Sequence, residues 1–201
     1  MVFIKAMKVG KPMLSLLKQY VYLIQDVEIR NDVLHLLSKT SVQDAFAKGS
    51  TYAGSNHPED ENRAYGLLLH SLRVVNVAIQ LFRSDYNTQQ LDYDILIASG
   101  ILHDVPYKFK ANGYTDLNHA HSNAVWFSEN TTLVGDKKDK ILACILHHMG
   151  KWDTSTSSDK EKYPLTNLAW VLHLADSLAS RKNIFVNIDC VDYLKINLDL
   201  S

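Results

Sequence analysis

The strongest constraint on how this chain can fold is a set of ionisable side chains inside otherwise apolar, helically spaced stretches: His70, His103 with Asp104, His147 with His148, and Asp176. Between Glu61 and Phe82, the residues Leu67, His70, Val74, Val77, Ala78 and Leu81 recur at three- and four-residue steps, so His70 shares a broad apolar face. Leu91, Ile95, Ala98 and Leu102 repeat the pattern up to His103-Asp104-Val105-Pro106. There Pro106 biases Val105 away from the helix and leaves the His-Asp pair at a helix end, on a cavity rim. A helix predicted over 136–149 carries Ile141, Leu142, Ile145 and Leu146 on its apolar side, ends in His147-His148 and stops at Gly150. The run 165–179 is apolar almost all round, with Asp176 inside it. An unpaired buried carboxylate is costly, so Asp104 and Asp176 need cations, metal ions or several hydrogen bonds. Neutral imidazole and carboxylate are ordinary ligands of Zn, Fe, Mn, Co and Ni, and converging helices can place them around one cavity.

The rest of the chain reads as a fold able to hold such a cluster. With 201 residues, 46% of them apolar, and only 8 Gly and 4 Pro, it has the composition of one globular domain spanning 1–201, without repeats or linkers. Lys and Arg total 21 against 22 Asp and Glu, a formal charge of −1 that excludes a strongly basic body built for non-specific nucleic-acid binding. Cys144 and Cys190 make no disulfide framework. No apolar run approaches the roughly 18 residues of a membrane span, and Met1-Val2-Phe3-Ile4-Lys5 lacks a signal peptide's apolar segment. The expectation is an all-α cytoplasmic protein with no membrane partner. Two N-terminal helices are predicted from Leu14, Leu17, Val21 and Ile24 and from Val33, Leu36 and Leu37, with Asp32 as a cap for the second and Asp136 as a cap for the helix over 136–149. Residues 50–60, 108–118 and 151–162 have loop composition, and a helix begins near His119. The tail, with Phe185, Val186, Ile188, Val191 and Tyr193, is open between a short helix and extended chain. It could pack on its own core or on a second subunit, as in a homodimer.

The order His, His-Asp, His-His, Asp resembles the HD-domain superfamily of metal-dependent phosphohydrolases, over about half the chain from His70 to Asp176. Tyr65-Gly66-Leu67-Leu68-Leu69-His70-Ser71-Leu72 is similar to the helix that opens the site in the branch containing bacterial 3′-to-5′ exoribonucleases. Ile101-Leu102-His103-Asp104 matches the diagnostic step. Ile145-Leu146-His147-His148-Met149-Gly150 and Leu172-His173-Leu174-Ala175-Asp176 are similar to that branch's His-His-x-Gly and His-x-Ala-Asp segments. The resemblance implies an all-helical HD-like catalytic core over about 61–181, with the N-terminal helices and a C-terminal extension packed on it. It implies that His70, His103, Asp104 and Asp176 hold one metal, and that Asp104 bridges to a second held by His147, His148 and a histidine of the His119–His121 segment, His119 being preferred to His121. The metals would be one or two divalent ions among Mn, Fe, Mg, Co, Ni and Zn. After the His-Asp pair the chain departs from the family's His-Asp-x-Gly-Lys: it reads Val105-Pro106-Tyr107-Lys108, and Tyr107 stands where triphosphohydrolase-like branches carry Glu.

The chemistry implied is hydrolysis of a phosphoester or phosphoanhydride bond by metal-activated water, on a nucleotide or a short nucleic-acid end. Asp104 and Lys108 are the candidate catalytic groups. Arg63, His121, Lys151 and Trp152 are candidates for substrate contact, with Lys110 as a further loop cation and Trp152 as a surface on which a base could stack. His173, one turn before Asp176, could orient a carboxylate or make a core hydrogen bond; His35 and His57 read as surface or loop residues. No dinucleotide fingerprint, phosphate-loop lysine, paired-cysteine zinc module or nucleophile elbow is present. The alternatives are a nucleoside triphosphate or cyclic-nucleotide hydrolase, a catalytically silent nucleotide- or partner-binding module, and a helical structural protein whose histidines only satisfy core hydrogen bonds.

Overall fold

Helical periodicity becomes helix in nearly every segment where the sequence shows it. The computed structural model describes residues 10–50, 57–83, 89–111, 113, 115–152 and 157–188, and among them the regular structure is helical apart from an isolated bridge between Phe109 and Thr115. Helices α1 (Gly10–Val21), α2 (Val27–Leu37) and α3 (Thr40–Phe46) lead into α4 (Gly66–Phe82) and α5 (Gln90–Leu102). They are followed by α6 (His119–Asn130), α7 (Gly135–His147), the single-turn α8 (Ser157–Lys162) and α9 (Asn167–Ala179). α4 lies at the centre and packs chiefly on α5 and α9, while α7 packs on α5, α6 and α9. α4 is central because it is apolar nearly all round: Leu67, Leu68, Leu72, Val74, Val75, Ala78 and Ile79 are all buried, each large side chain contributing roughly 1.5–3 kcal/mol. One continuous core runs from Leu17 in α1 to Ala179 in α9. No described helix is long and apolar enough to cross a membrane.

Several local expectations are corrected. Asp32 does not cap α2; Asp26 does, accepting from the backbone N–H groups of Glu28 and Ile29 at 3.0 Å each. Asp32 is buried on the helix, where its carboxylate accepts from the Thr131 hydroxyl at 2.7 Å and from the Thr132 N–H and hydroxyl at 2.6 and 2.8 Å, tying α2 to the turn after α6. Asp136 lies inside the first turn of α7, which starts after Val134 without a side-chain cap; there its charge suits the helix dipole and pairs with Lys140 at 3.0 Å. Residues 150–152 and α8 form helical turns within the segment read as loop, and α3 lies beyond the two predicted N-terminal helices. Of the tail, Phe185 is exposed, while Val186 is buried and the Ile188 carbonyl accepts the Tyr20 hydroxyl at 2.9 Å. Val191 and Tyr193 lie outside the described residues.

The start of α4 bears directly on the site. The helix begins at Gly66 instead of Glu61, because the chain first makes a 3₁₀ turn, Glu59–Asn62, and then passes through Tyr65 in the left-handed region at φ 65°. That turn folds Glu61 back onto the helix and buries its side chain completely. The Glu61 backbone lies so close that a Cβ at Gly66 would come within 1.7 Å of its carbonyl oxygen.

Candidate metal centre

Helix ends carry most of the ionisable cluster. His103 follows the last residue of α5, His119 is the first residue of α6 and His148 follows the last residue of α7. Each turns Nδ1 to a main-chain carbonyl three residues back: His103 to Gly100 at 2.9 Å, His119 to Asp116 at 2.5 Å and His148 to Ile145 at 2.7 Å. A carbonyl only accepts, so Nδ1 carries the proton in all three and a neutral ring presents a bare Nε2. Those nitrogens converge. His119 Nε2 and His148 Nε2 are 3.1 Å apart, and His103 Nε2 is buried without a hydrogen-bond partner. Two bare lone pairs at that separation repel each other unless a proton or a cation lies between them.

The carboxylates complete the cluster. Asp104, 1% exposed, divides its two oxygens. Oδ1 stands 2.9 Å from His119 Nε2 and 3.5 Å from His148 Nε2, while Oδ2 stands 3.3 Å from His103 Nε2 and 3.7 Å from His70 Nε2. Asp176 Oδ1 lies 3.0 Å from His70 Nε2 and 3.9 Å from His103 Nε2. With its side chain 19% exposed, Asp176 is the member of the cluster most open to solvent. Burial alone would raise both aspartate pKa values. For Asp104 this is outweighed by His103, Lys108 and His119, and for Asp176 by His70 and His103, so both stay well below the ordinary carboxylate range. His70 is raised to about 9, because Asp176 and Glu61 together overcome its burial and the Lys108 charge. His103, where burial dominates, is lowered.

The structure brings together His70, His103, Asp104, His119, His148 and Asp176, and leaves His147 and His121 outside. His147 Nε2 donates to the Tyr163 carbonyl at 2.7 Å instead, because successive residues at a helix end project about 100° apart and α7 turns His148 inward. His121 lies two residues beyond His119, on the other side of α6, where Nδ1 pairs with Asp159 at 3.2 Å. We expect His148→Gln to weaken Zn²⁺ binding by about tenfold or more and His147→Gln to leave it within about twofold. Titration calorimetry on both variants checks this, and equal losses would reject the placement of the two side chains.

Lys108 is buried, with its ammonium on Asp104 Oδ2. Arg63, Lys151 and Trp152 are exposed, and the Lys151 ammonium lies 4.7 Å from the centre of the Trp152 ring. Other groups shape the site, and among them sequence reasoning passed over Asn123 and Glu61. Asn123 accepts from the Tyr107 N–H at 2.8 Å and donates to the His103 carbonyl at 3.0 Å, joining α6 to the His-Asp step. His173 donates from Nδ1 to the His148 carbonyl at 2.7 Å, and its ring fills the space a Cβ at Gly150 would enter, at 2.2 Å. Glu61 reads in the sequence as the first residue of the helix and His57 as a surface or loop residue, so neither stood as part of the site. The usable signal was Gly66, a small residue at the start of an apolar helix.

The donor set suits a divalent ion. Three preoriented imidazoles, a fourth beside two carboxylates, and an orphaned inward nitrogen at His103 supply what borderline metals take, without a thiolate. Among the described residues, ligand atoms of His70, His103 and Asp104, of His103, His148 and Asp176, of Asp104, His119 and His148, and of His57, Glu61 and His70 form four groups that could each hold an ion. Cys144 is apart from this chemistry: burial pushes its thiol up to about 12. A comparison with family models matches residues 67–181, more than half of the chain, to one described as HD domain. Neither the curated proteins nor the solved structures compared with the chain matched it.

Proposed function

Because the chain belongs to the HD domain family, whose members are generally metal-dependent phosphohydrolases, we propose that it hydrolyses a phosphoester or phosphoanhydride bond of a nucleotide or a nucleic-acid end. The observation that carries this reading is the division of Asp104, one oxygen toward His119 and His148 and the other toward His70 and His103. In this reading Asp104 is shared between two cation positions, one completed by His70, His103 and Asp176 and the other by His119 and His148. Divalent ions held there would lower the pKa of a water and polarise the phosphoryl oxygens.

The chain's own residues supply the rest. The main-chain carbonyls at Gly100, Asp116 and Ile145 hold each neutral ring in the tautomer whose Nε2 is bare, so the ligands are already oriented. The cluster opens to solvent on the Asp176 side, where a phosphate can approach. The Lys108 ammonium, already against Asp104, is placed to share its charge with a phosphoryl oxygen. A cleft of roughly 530 Å³ lined by Lys48, Asn62, Phe109 and Lys110 shares no lining residue with the cluster, and its cationic and aromatic chemistry suits the phosphate and base of a nucleotide. Exposed Arg63, Lys151 and Trp152 and half-buried His121 are the further candidates for substrate contact.

The test is turnover by Mn²⁺-loaded protein of mononucleotides, cyclic nucleotides, nucleoside triphosphates and short RNAs with free or blocked 3′ ends. We expect metal-dependent release of phosphate or nucleotide that chelation abolishes. Turnover confined to mononucleotides would reject the chain-end version and with it the exoribonuclease-like branch. Stoichiometric metal without turnover across the panel would favour the silent binding module, to which the altered segment after Asp104 lends its only support.

A further inference from the structure

His70 differs from the other inward histidines in one respect. Their Nδ1 atoms are held by main-chain carbonyls, whereas His70 lies inside α4, where the helix's own carbonyls are occupied. Its Nδ1 is fully buried and makes no hydrogen bond among the described residues; the charged group beside it is Glu61 Oε2, an ion-pair contact at 3.3 Å. Glu61 is 0% exposed and is itself held from every side. Arg73 Nη1 donates to Oε1 at 2.6 Å, while His57 Nδ1 and the Ser50 hydroxyl meet Oε2 at 2.7 and 3.2 Å. The Glu61 carbonyl accepts the Ser50 N–H at 2.7 Å, which closes the turn. Arg73 is braced in turn by Asp60 through two bonds of 2.9 and 2.7 Å. The His57 ring stands edge-on to His70 with centroids 4.9 Å apart, covering it from the outside.

A carboxylate buried so completely, with a guanidinium committed to one oxygen, leaves the other oxygen turned toward two imidazoles. We propose that Glu61 is the positioning residue for His70: its Oε2 keeps the ring's proton on Nδ1, so that Nε2 is the nitrogen offered toward Asp104 and Asp176. Glu61 thus does for the helix-interior histidine what main-chain carbonyls do for the three at helix ends. A carboxylate behind a ligand imidazole also raises the ligand's basicity, which a neutral carbonyl does more weakly. The inference rests on the reading of the cluster as a metal centre.

The experiment uses the full chain, ¹⁵N-labelled at histidine, with Zn²⁺ as the probe. In the zinc-loaded wild type, long-range ¹H–¹⁵N spectra should show His70 protonated at Nδ1 and metal-shifted at Nε2. Calorimetry should show Glu61→Gln weakening zinc binding by about tenfold or more. Asp60→Asn removes the exposed brace of Arg73 while leaving Glu61 in place, and should keep zinc affinity within about twofold of wild type. The inference is overturned if zinc is bound through Nδ1 of His70, if Glu61→Gln binds as tightly as wild type, or if Asp60→Asn loses as much affinity as Glu61→Gln, the mark of a merely structural role. The wild-type spectrum needs no variant, so it decides the question even where Glu61→Gln fails to fold. A wild type that takes up no zinc defeats the metal-centre reading and this inference together, whereas zinc uptake with unchanged Glu61→Gln affinity defeats this inference alone.

Discussion

Asp104→Asn should abolish stable metal uptake and lower phosphohydrolase turnover by roughly 10³-fold or more. The substitution keeps the shape and removes the charge. Asp104 divides its two oxygens between the halves of the cluster, His119 and His148 on one side and His103 and His70 on the other. An amide can turn only one oxygen to either side, and its NH₂ then points at whatever occupies the other. Breaking a buried ion pair by removing one partner costs about 3–5 kcal/mol, and at 1.36 kcal/mol per tenfold a loss of that size in binding or in the transition state is two to four decades. Lys108 enlarges the effect, because its ammonium is buried against Asp104 and would be left without that countercharge. Metal content after dialysis, by mass spectrometry, and Mn²⁺-dependent turnover are the two measurements. An Asp104→Asn protein that keeps both within a few-fold of wild type would remove the basis of the proposed function.

Gly66→Ala should lower stability by about 3 kcal/mol or more, which in a chain of this size is a fall in Tm of roughly 10 °C. The added Cβ would meet the Glu61 carbonyl oxygen at 1.7 Å, its carbonyl carbon at 2.4 Å and its Cα at 2.9 Å. These are backbone atoms, so no side-chain rotation relieves the overlap, and either the 3₁₀ turn lifts off α4 or the helix loses its first turn. Lifting the turn carries Glu61 away from His70, Arg73 and His57, and exposes the partners of a buried carboxylate. The same substitution should therefore weaken zinc binding as well as thermal stability, although residue 66 has no side chain to offer as a ligand. Calorimetric unfolding without metal, followed by zinc titration, reads the two effects separately. A Tm within about 2 °C of wild type would show that the close approach at Gly66 does not hold the turn.

The helix ends were legible because their signals are local. Pro106 after the His-Asp pair and Gly150 after the His-His pair mark where α5 and α7 stop, and helical spacing places His70 and Asp176 on buried stretches before any tertiary contact is known. Local signals misassigned what depends on a distant partner. Asp32 looks like a cap until Thr131 and Thr132 are seen to claim its carboxylate, and Glu61 looks like the first residue of a helix until the chain is seen to turn it back among Arg73, His57 and His70.

The amino-acid sequence alone determined that this chain is helical and that His and Asp groups on separate helices must share an interior with some countercharge, metal ions being one way to supply it. Periodicity and the cost of burying charge are enough for that, since both act within a turn or two of helix. Only the tertiary structure decided that His148 and not its neighbour His147 faces the cluster, that His119 does so in place of His121, and that Asp104 divides its oxygens between two groups of imidazoles. Those choices turn on the rotation of each helix about its axis, and that rotation is set by packing against neighbours far away in the chain.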